Sequence, residues 1–194
     1  MTTERLQHSL RDTGAQPEYA WVGMAARAVG TIVHAELQRL SQLAPLPAAP
    51  DVGAGDYQAW LAELGVEAAE REAAARDVVD ALAATLRDPR GRWLLGSTHA
   101  AAHSELRLSG IHEGRVVNVI VDRLLVEPDG ARWIVDYKTS RHEGGELEAF
   151  LLQEEERHRP QLQRYAVLAR ALAPGPVRAA LYFPLLGAFR EVAV

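Results

Sequence analysis

Apolar residues recur at helical spacing through the first half of the chain. Residues 18–43 and 56–87 each carry apolar side chains three and four positions apart, which predicts one or two helices in each range. Between them, residues 44–55 are rich in Pro, Gly and Ala and predict a surface loop. Asp88-Pro89 predicts the end of the second helical range, because the residue before a proline disfavours helical backbone.

The second half of the chain changes to strand-like patterning, rich in β-branched residues and alternating in polarity. The predicted strands are residues 103–108, 115–126, 132–138, 177–184 and 188–193. Residues 147–173 return to helical spacing, with a break predicted near Pro160 because proline removes a helical hydrogen bond. Helices, three strands, a helix and two more strands indicate one α/β domain rather than two.

The domain boundaries follow from the same pattern. Residues 1–17 are polar and lack periodicity, which predicts a loose leader outside the fold. Residues 18–194 then form a single domain, mainly helical over 18–98 and with the α/β core over 99–194. The run of charges from Glu154 to Arg159 is interpreted as a solvated helix face.

Composition limits the chemistry that this domain can perform. The chain has no apolar run long enough to cross a bilayer and no apolar signal core at its start, which predicts a soluble, cytoplasmic protein. It has no cysteine, which excludes disulfides, thiolate zinc sites and a cysteine-held iron–sulfur cluster. Any metal must then be held by carboxylates, histidine and carbonyls, a ligand set that suits Mg²⁺ or Mn²⁺. The net charge of −5 argues against a strongly basic nucleic-acid binder, though clustered active-site carboxylates contribute to it.

Candidate chemistry is concentrated in two neighbouring strands. Asp136 and Lys138 are two residues apart in one strand and therefore point the same way, about 7 Å apart. Asp122 interrupts an apolar run in the preceding strand. A three-residue turn at Pro128-Asp129-Gly130, with Gly130 in the left-handed region, places Asp122 opposite Asp136 on the same face of the sheet. A two-residue turn would instead place Asp122 on the opposite face from Asp136. Two carboxylates and a lysine on one face form a plausible hydrolytic centre, and the alternative is a surface hairpin with a simple ion pair.

The segment VDRLLVEPDGARWIVDYKTS, with HEGGELEAF and QLQRYAVLARAL after it, resembles the nuclease domain of RecB- and AddA-type helicase–nucleases of the PD-(D/E)XK superfamily. The resemblance covers about residues 25–185. Among these proteins, the chain most resembles the carboxy-terminal domain of UvrD/Rep-type helicases known as exonuclease V beta subunits. It implies a restriction-endonuclease-like core, with a mixed central β-sheet flanked by helices and an N-terminal helical region. It further implies a Mg²⁺- or Mn²⁺-dependent DNA exonuclease in double-strand-break repair and recombination, acting with a helicase domain or subunit at the bacterial nucleoid.

The resemblance also implies roles for particular residues. Catalytic roles fall to Asp122, Asp136, Lys138 and Glu105. The metal ligands are His34, in a segment GTIVHAEL that resembles a G-T-x-x-H motif, together with Asp122, Asp136 and the main-chain carbonyl of Tyr137. Gln161 and Tyr165 match a Q-x-x-x-Y motif that binds DNA or supports the site, and Thr139 is placed to donate to a phosphate.

Each supporting residue has a second interpretation from its local pattern. A single histidine on a helix, such as His34, is usually a core or surface residue. Glu105 alternates with leucines and fits the exposed face of a strand. Gln161 and Tyr165 share a helix face that can simply pack on the sheet, and Thr139 can cap a loop.

Two departures from related sequences narrow the prediction. The four cysteines that hold an iron–sulfur cluster in many relatives are absent, which points to the cluster-free branch. A G-x-x-x-x-G-K-[ST] motif is also absent, so the chain has no ATP site and cannot be the motor. We expect either a fragment of a longer helicase–nuclease or a stand-alone relative. The alternative function is a catalytically inactive nuclease-fold module that binds DNA or a helicase partner.

Overall fold

The computed structural model describes residues 17–142 and 144–194, with side chains from residue 23 onward. The predicted leader therefore lies outside the described residues except at Pro17, where the first helix begins. Four helices precede the sheet: α1 (Pro17–Leu40), α2 (Ala54–Glu63), α3 (Ala68–Arg87) and α4 (Pro89–Leu95). None of the helices within the described ranges is both long enough and apolar enough to span a membrane.

The short helix α4 is a feature that the sequence pattern did not predict. Helix α3 ends at Asp88, as predicted from Asp88-Pro89. The Asp88 carboxylate then accepts hydrogen bonds from the backbone N–H groups of Arg90 and Gly91, and Pro89 occupies the first turn of the next helix. Proline is well suited to that position because the first N–H groups of a helix have no partner within the helix. The dipeptide therefore ends one helix and begins another.

The remaining elements form a five-stranded mixed sheet and one long helix. The bounds are β1 (Ala101–His112), β2 (Arg115–Val126), β3 (Arg132–Tyr137), α5 (Leu147–Leu172), β4 (Val177–Phe183) and β5 (Ala188–Val192). The strands lie in the order β1-β2-β3-β4-β5, with β3 and β4 parallel and the other pairs antiparallel. Helix α5 connects the two parallel strands, as such a pair requires. A mixed sheet flanked by helices and preceded by a helical region is the architecture that the sequence predicts.

The turn between β2 and β3 fixes the register of the candidate site. The N–H of Glu127 donates to the carbonyl of Ala131 at 2.8 Å, and the N–H of Gly130 donates to the carbonyl of Glu127 at 2.9 Å. Gly130 has φ 84°, a left-handed conformation that glycine adopts without a steric penalty. The predicted three-residue turn is confirmed. Because Arg123 pairs with Val135, the next residue pair in this register is Asp122 and Asp136.

Both faces of the sheet are covered, so β3 is buried along its whole length. Trp133, Val135 and Tyr137 pack against the α1–α4 layer, whereas Ile134 packs on the α5 side. The predicted break near Pro160 is wrong: α5 continues through it. Apolar residues on both sides of the proline pack on the sheet, and this tertiary packing keeps the two halves of the helix in line.

Candidate functional site

The end of β3 carries a buried ion pair. Asp136 is only 3% exposed, and its Oδ2 lies 2.6 Å from Nζ of Lys138, the only lysine in the chain. The side-chain amide of Gln161 on α5 donates to Asp136 Oδ1 at 3.0 Å and to the Tyr165 hydroxyl at 2.7 Å. Alternation along β3 turns Asp136 toward α5, and the four-residue spacing of Gln161 and Tyr165 places both on the facing side of that helix.

Asp122 belongs to a second group that links β2, β3 and α1. Its Oδ2 accepts a hydrogen bond from the Tyr137 N–H at 2.7 Å, and its Oδ1 lies 3.7 Å from His34 Nδ1. The other ring nitrogen of His34, Nε2, lies 3.2 Å from the carbonyl oxygen of Tyr137. A histidine separated by 103 residues from Tyr137 in sequence is thus brought to the same backbone unit as the aspartate. The Asp122 carboxylate and the Tyr137 carbonyl both face this imidazole.

Glu105 joins this group through an unusual backbone conformation. It has φ 51°, which is rare for a residue other than glycine and lies inside strand β1. Side-chain alternation is interrupted there: Ser104 contacts Ser41 after α1, whereas Leu106 packs on the α5 side. As a result, one ligand atom from each of His34, Glu105 and Asp122 lies within 4.8 Å of the others.

The predicted site residues therefore form two adjoining groups. His34, Glu105 and Asp122 converge on one side of Tyr137, while Asp136 is directed to Lys138 and Gln161 on the other. Thr139 follows directly and lines the same cleft as His34 and Lys138. The sequence predicts both Asp122 and Asp136 as metal ligands, and in the structure Asp136 also has a cationic partner and an amide partner.

Electrostatics couple the two groups. Burial and the negative charge of Asp136 raise the pKa of Asp122 to about 6, against the opposing effects of His34 and the Tyr137 N–H. Excess negative charge at a half-buried group of carboxylate, imidazole and carbonyl donors fits a divalent cation such as Mg²⁺ or Mn²⁺. At 3.2 Å, His34 Nε2 is within hydrogen-bond distance of the Tyr137 carbonyl, and Nδ1 is the ring nitrogen that faces Asp122 Oδ1.

A cleft of about 1020 Å³ opens over the site. One wall is a face of α1 that includes Gly30 and His34, and the other includes Lys138, Thr139 and His158. A Cβ atom at Gly30 would lie 3.0 Å from Oγ1 of Thr139. The glycine in the middle of α1 therefore allows the end of β3 to approach the helix closely.

Residues in the charged run of α5 were missed as part of this cleft. The prediction of a solvated face over Glu154–Arg159 is wrong for Glu154, which is 5% exposed. Its Oε2 accepts a hydrogen bond from Ser140 at 3.1 Å and lies 3.5 Å from Nε2 of His158, which lines the cleft. Burial, and next the charge of Lys138, lower the pKa of His158. Glu154 and His158 continue the helix face of Gln161 and Tyr165 at helical spacing, a signal that could have identified them.

Comparison with known proteins identifies one family. The sequence matches the PD-(D/E)XK nuclease superfamily over residues 5–191, which includes every residue of both groups and of the cleft. No curated protein matches the chain.

Proposed function

The chain belongs to the PD-(D/E)XK nuclease superfamily, and from this premise we propose that it is a metal-dependent deoxyribonuclease that hydrolyses phosphodiester bonds. The observation that carries the proposal is the convergence of His34, Glu105 and Asp122 beside the buried Asp136–Lys138 pair. The family match supports a nuclease of the kind that uses Mg²⁺ or Mn²⁺. The resemblance to RecB- and AddA-type domains supports the finer proposal of a bacterial exonuclease that acts with a helicase in double-strand-break repair.

The proposed cation would be held by His34, Glu105, Asp122 and the carbonyl of Tyr137, with Asp136 at the border of the set. When bound, Mg²⁺ or Mn²⁺ lowers the pKa of water and offsets the charge of a phosphate. The Tyr137 N–H holds one oxygen of Asp122 and leaves the other directed toward His34. The protein thus fixes its donor atoms before any ligand arrives, which reduces the reorganisation that binding requires.

The proposed catalytic role of Lys138 depends on the residues that position its ammonium group. Asp136 holds the ammonium at the edge of the cleft, and Gln161 donates to Asp136 in turn. The Tyr165 hydroxyl accepts from the same Gln161 amide and so fixes its position. From there Lys138 can orient the attacking water and stabilise negative charge that develops on the phosphate. Thr139, which lines the cleft beside it, can donate to a phosphate oxygen.

The test is cleavage of labelled linear and circular DNA in Mn²⁺ by the parent and by Asp136→Ala, Lys138→Ala and Lys138→Arg. Arginine retains the charge but not the compact ammonium geometry, so we expect all three variants to lose about 10²-fold or more in rate. Arg87→Ala, on the exposed side of α3, is the matched control and should cut at the parent rate. Equal rates for the parent and the Lys138 variants would contradict the proposed site. A parent that binds DNA and Mn²⁺ without cutting would support the inactive binding module instead.

A further inference from the structure

A second cavity, which we call the Arg123 pocket, adjoins the candidate site. It has a volume of about 330 Å³ and lies between the end of α1 and strand β1. Ser41, Ser104, Arg107 and Arg123 contribute to its wall, together with Glu105. The two serine hydroxyls lie 3.1 Å apart. The pocket wall thus combines hydroxyl groups and a buried guanidinium, with the Glu105 carboxylate on the side that it shares with the cleft.

Arg123 is buried without a negatively charged partner. Its side chain is 3% exposed, Nε donates to the carbonyl of Leu94 at 2.9 Å, and Nη1 donates to the Ser104 hydroxyl at 2.8 Å. Across the described part of the chain, no carboxylate lies within 4.0 Å of this guanidinium, whereas most other buried charges have an ionic partner. Burying a charge without a counter-ion costs free energy. A buried cation that lines an open cavity is therefore suited to receive an anion.

The Arg123 pocket is continuous with the cleft over the candidate metal site. Gln38 and Glu105 line both cavities, so one groove runs along α1 from Lys138 past His34 to Arg123. The unusual backbone at Glu105 is what turns Ser104 toward α1 and Arg123. Lys138 and Arg123 therefore lie on opposite sides of the acidic residues Glu105 and Asp122. A nucleic-acid strand that follows this groove would meet a cation at successive phosphates.

We propose that the Arg123 pocket binds a phosphate of the substrate strand adjacent to the one that is cleaved. This inference rests on the proposed function for the identity of the ligand. Guanidinium and hydroxyl groups donate to phosphate oxygens, and the interaction carries no base specificity. The pocket therefore requires at least one nucleotide beyond the cleaved bond on the β1 side, and it supplies affinity rather than chemistry.

The experiment supplies Arg123 with an internal anion. Ser104→Asp places a carboxylate where the hydroxyl now accepts from Nη1, so that the pocket carries its own anion. Ser41→Asp places a carboxylate in the same pocket from another element, beside Ser104, in case the first variant does not fold. Ser97→Asp carries the same change of charge at an exposed loop position and is the matched control. Binding of a fluorescent single-stranded oligonucleotide is measured by anisotropy in Ca²⁺, at several salt concentrations.

We expect Ser104→Asp or Ser41→Asp to weaken binding about tenfold, since one charge-assisted contact is lost. The slope of log K against log salt should fall by about 0.7, the contribution of one phosphate on a single strand, and Ser97→Asp should leave it unchanged. Equal affinity and slope for the pocket variants and the control would overturn the inference, even if the parent cuts DNA. A parent that does not cut, but whose binding depends on the pocket, would reject the proposed function and retain the phosphate site.

Discussion

Replacing Asp122 with asparagine removes one negative charge from a half-buried position close to Asp136. Asparagine retains an oxygen that can accept from the Tyr137 N–H, so the local hydrogen bond is preserved. Without metal, the folded protein holds the Asp122 proton more tightly than the unfolded chain does, because burial and Asp136 raise its pKa. The stabilising contribution of Asp122 is therefore complete below pH 3.8 and is lost as the pH rises through about 6.

The size of the effect follows from the two pKa values. A rise from 3.8 to about 6 corresponds to about 3 kcal/mol of unfolding free energy. For a protein of this length, that change in free energy equals a change in melting temperature of about 6 to 12 °C. In chelator, the parent should therefore lose about this much stability relative to Asp122→Asn between pH 4 and pH 7. The two should change in parallel above pH 7.

The assay is thermal unfolding of both proteins in EDTA from pH 4 to pH 8, with Asp80→Asn, an exposed aspartate of α3, as the control. Other carboxylates also titrate in this range, so the difference between variants is the quantity to measure. At pH 8, Mn²⁺ should raise the melting temperature of the parent and have little effect on Asp122→Asn. A difference between the parent and Asp122→Asn that does not change with pH would refute the assignment of buried, uncompensated charge to Asp122.

Three further substitutions test local features of the fold. Gly130→Ala should lower the free energy of unfolding, measured in urea, by about 1 kcal/mol, because an alanine at φ 84° is strained. An unchanged urea midpoint would contradict the assigned turn. Gly30→Leu should lower the DNA cleavage rate at least tenfold, because the leucine side chain would displace Thr139. Full activity would contradict the close approach of α1 and β3. Pro160→Ala should stabilise the protein by about 1 kcal/mol or more, because alanine restores an N–H that can donate to the carbonyl of Glu156. A loss of stability in urea unfolding would show that α5 accommodates the proline without cost.

The features predicted correctly from sequence are those that depend on neighbouring residues. The turn at Gly130 needs only a glycine in the left-handed region, and it sets the register that opposes Asp122 and Asp136. Alternation along β3 then determines which way Lys138 points. These local rules specify the centre of the site before any distant contact is known.

Other features of the candidate site depend on distant packing, which the local pattern of the sequence does not specify. Glu105 enters the site through a backbone conformation that no residue type in its segment favours. Helix spacing shows that Glu154 and Gln161 share a face, but only the packing of α5 on the sheet buries that face. Likewise Pro160 interrupts hydrogen bonding locally, and contacts with the sheet keep the helix continuous.

Strand β3 lies third in a five-stranded sheet with every one of its residues buried, and this position places the candidate site on a strand that is protected from solvent along its whole length. Amide hydrogens in such strands exchange with solvent mainly when the whole molecule opens. The Tyr137 N–H, which donates to Asp122, is one of them. The geometry around Asp122, Asp136 and Lys138 is therefore insulated from fraying at the sheet edges, and heat should abolish activity only at the temperature where the domain itself melts.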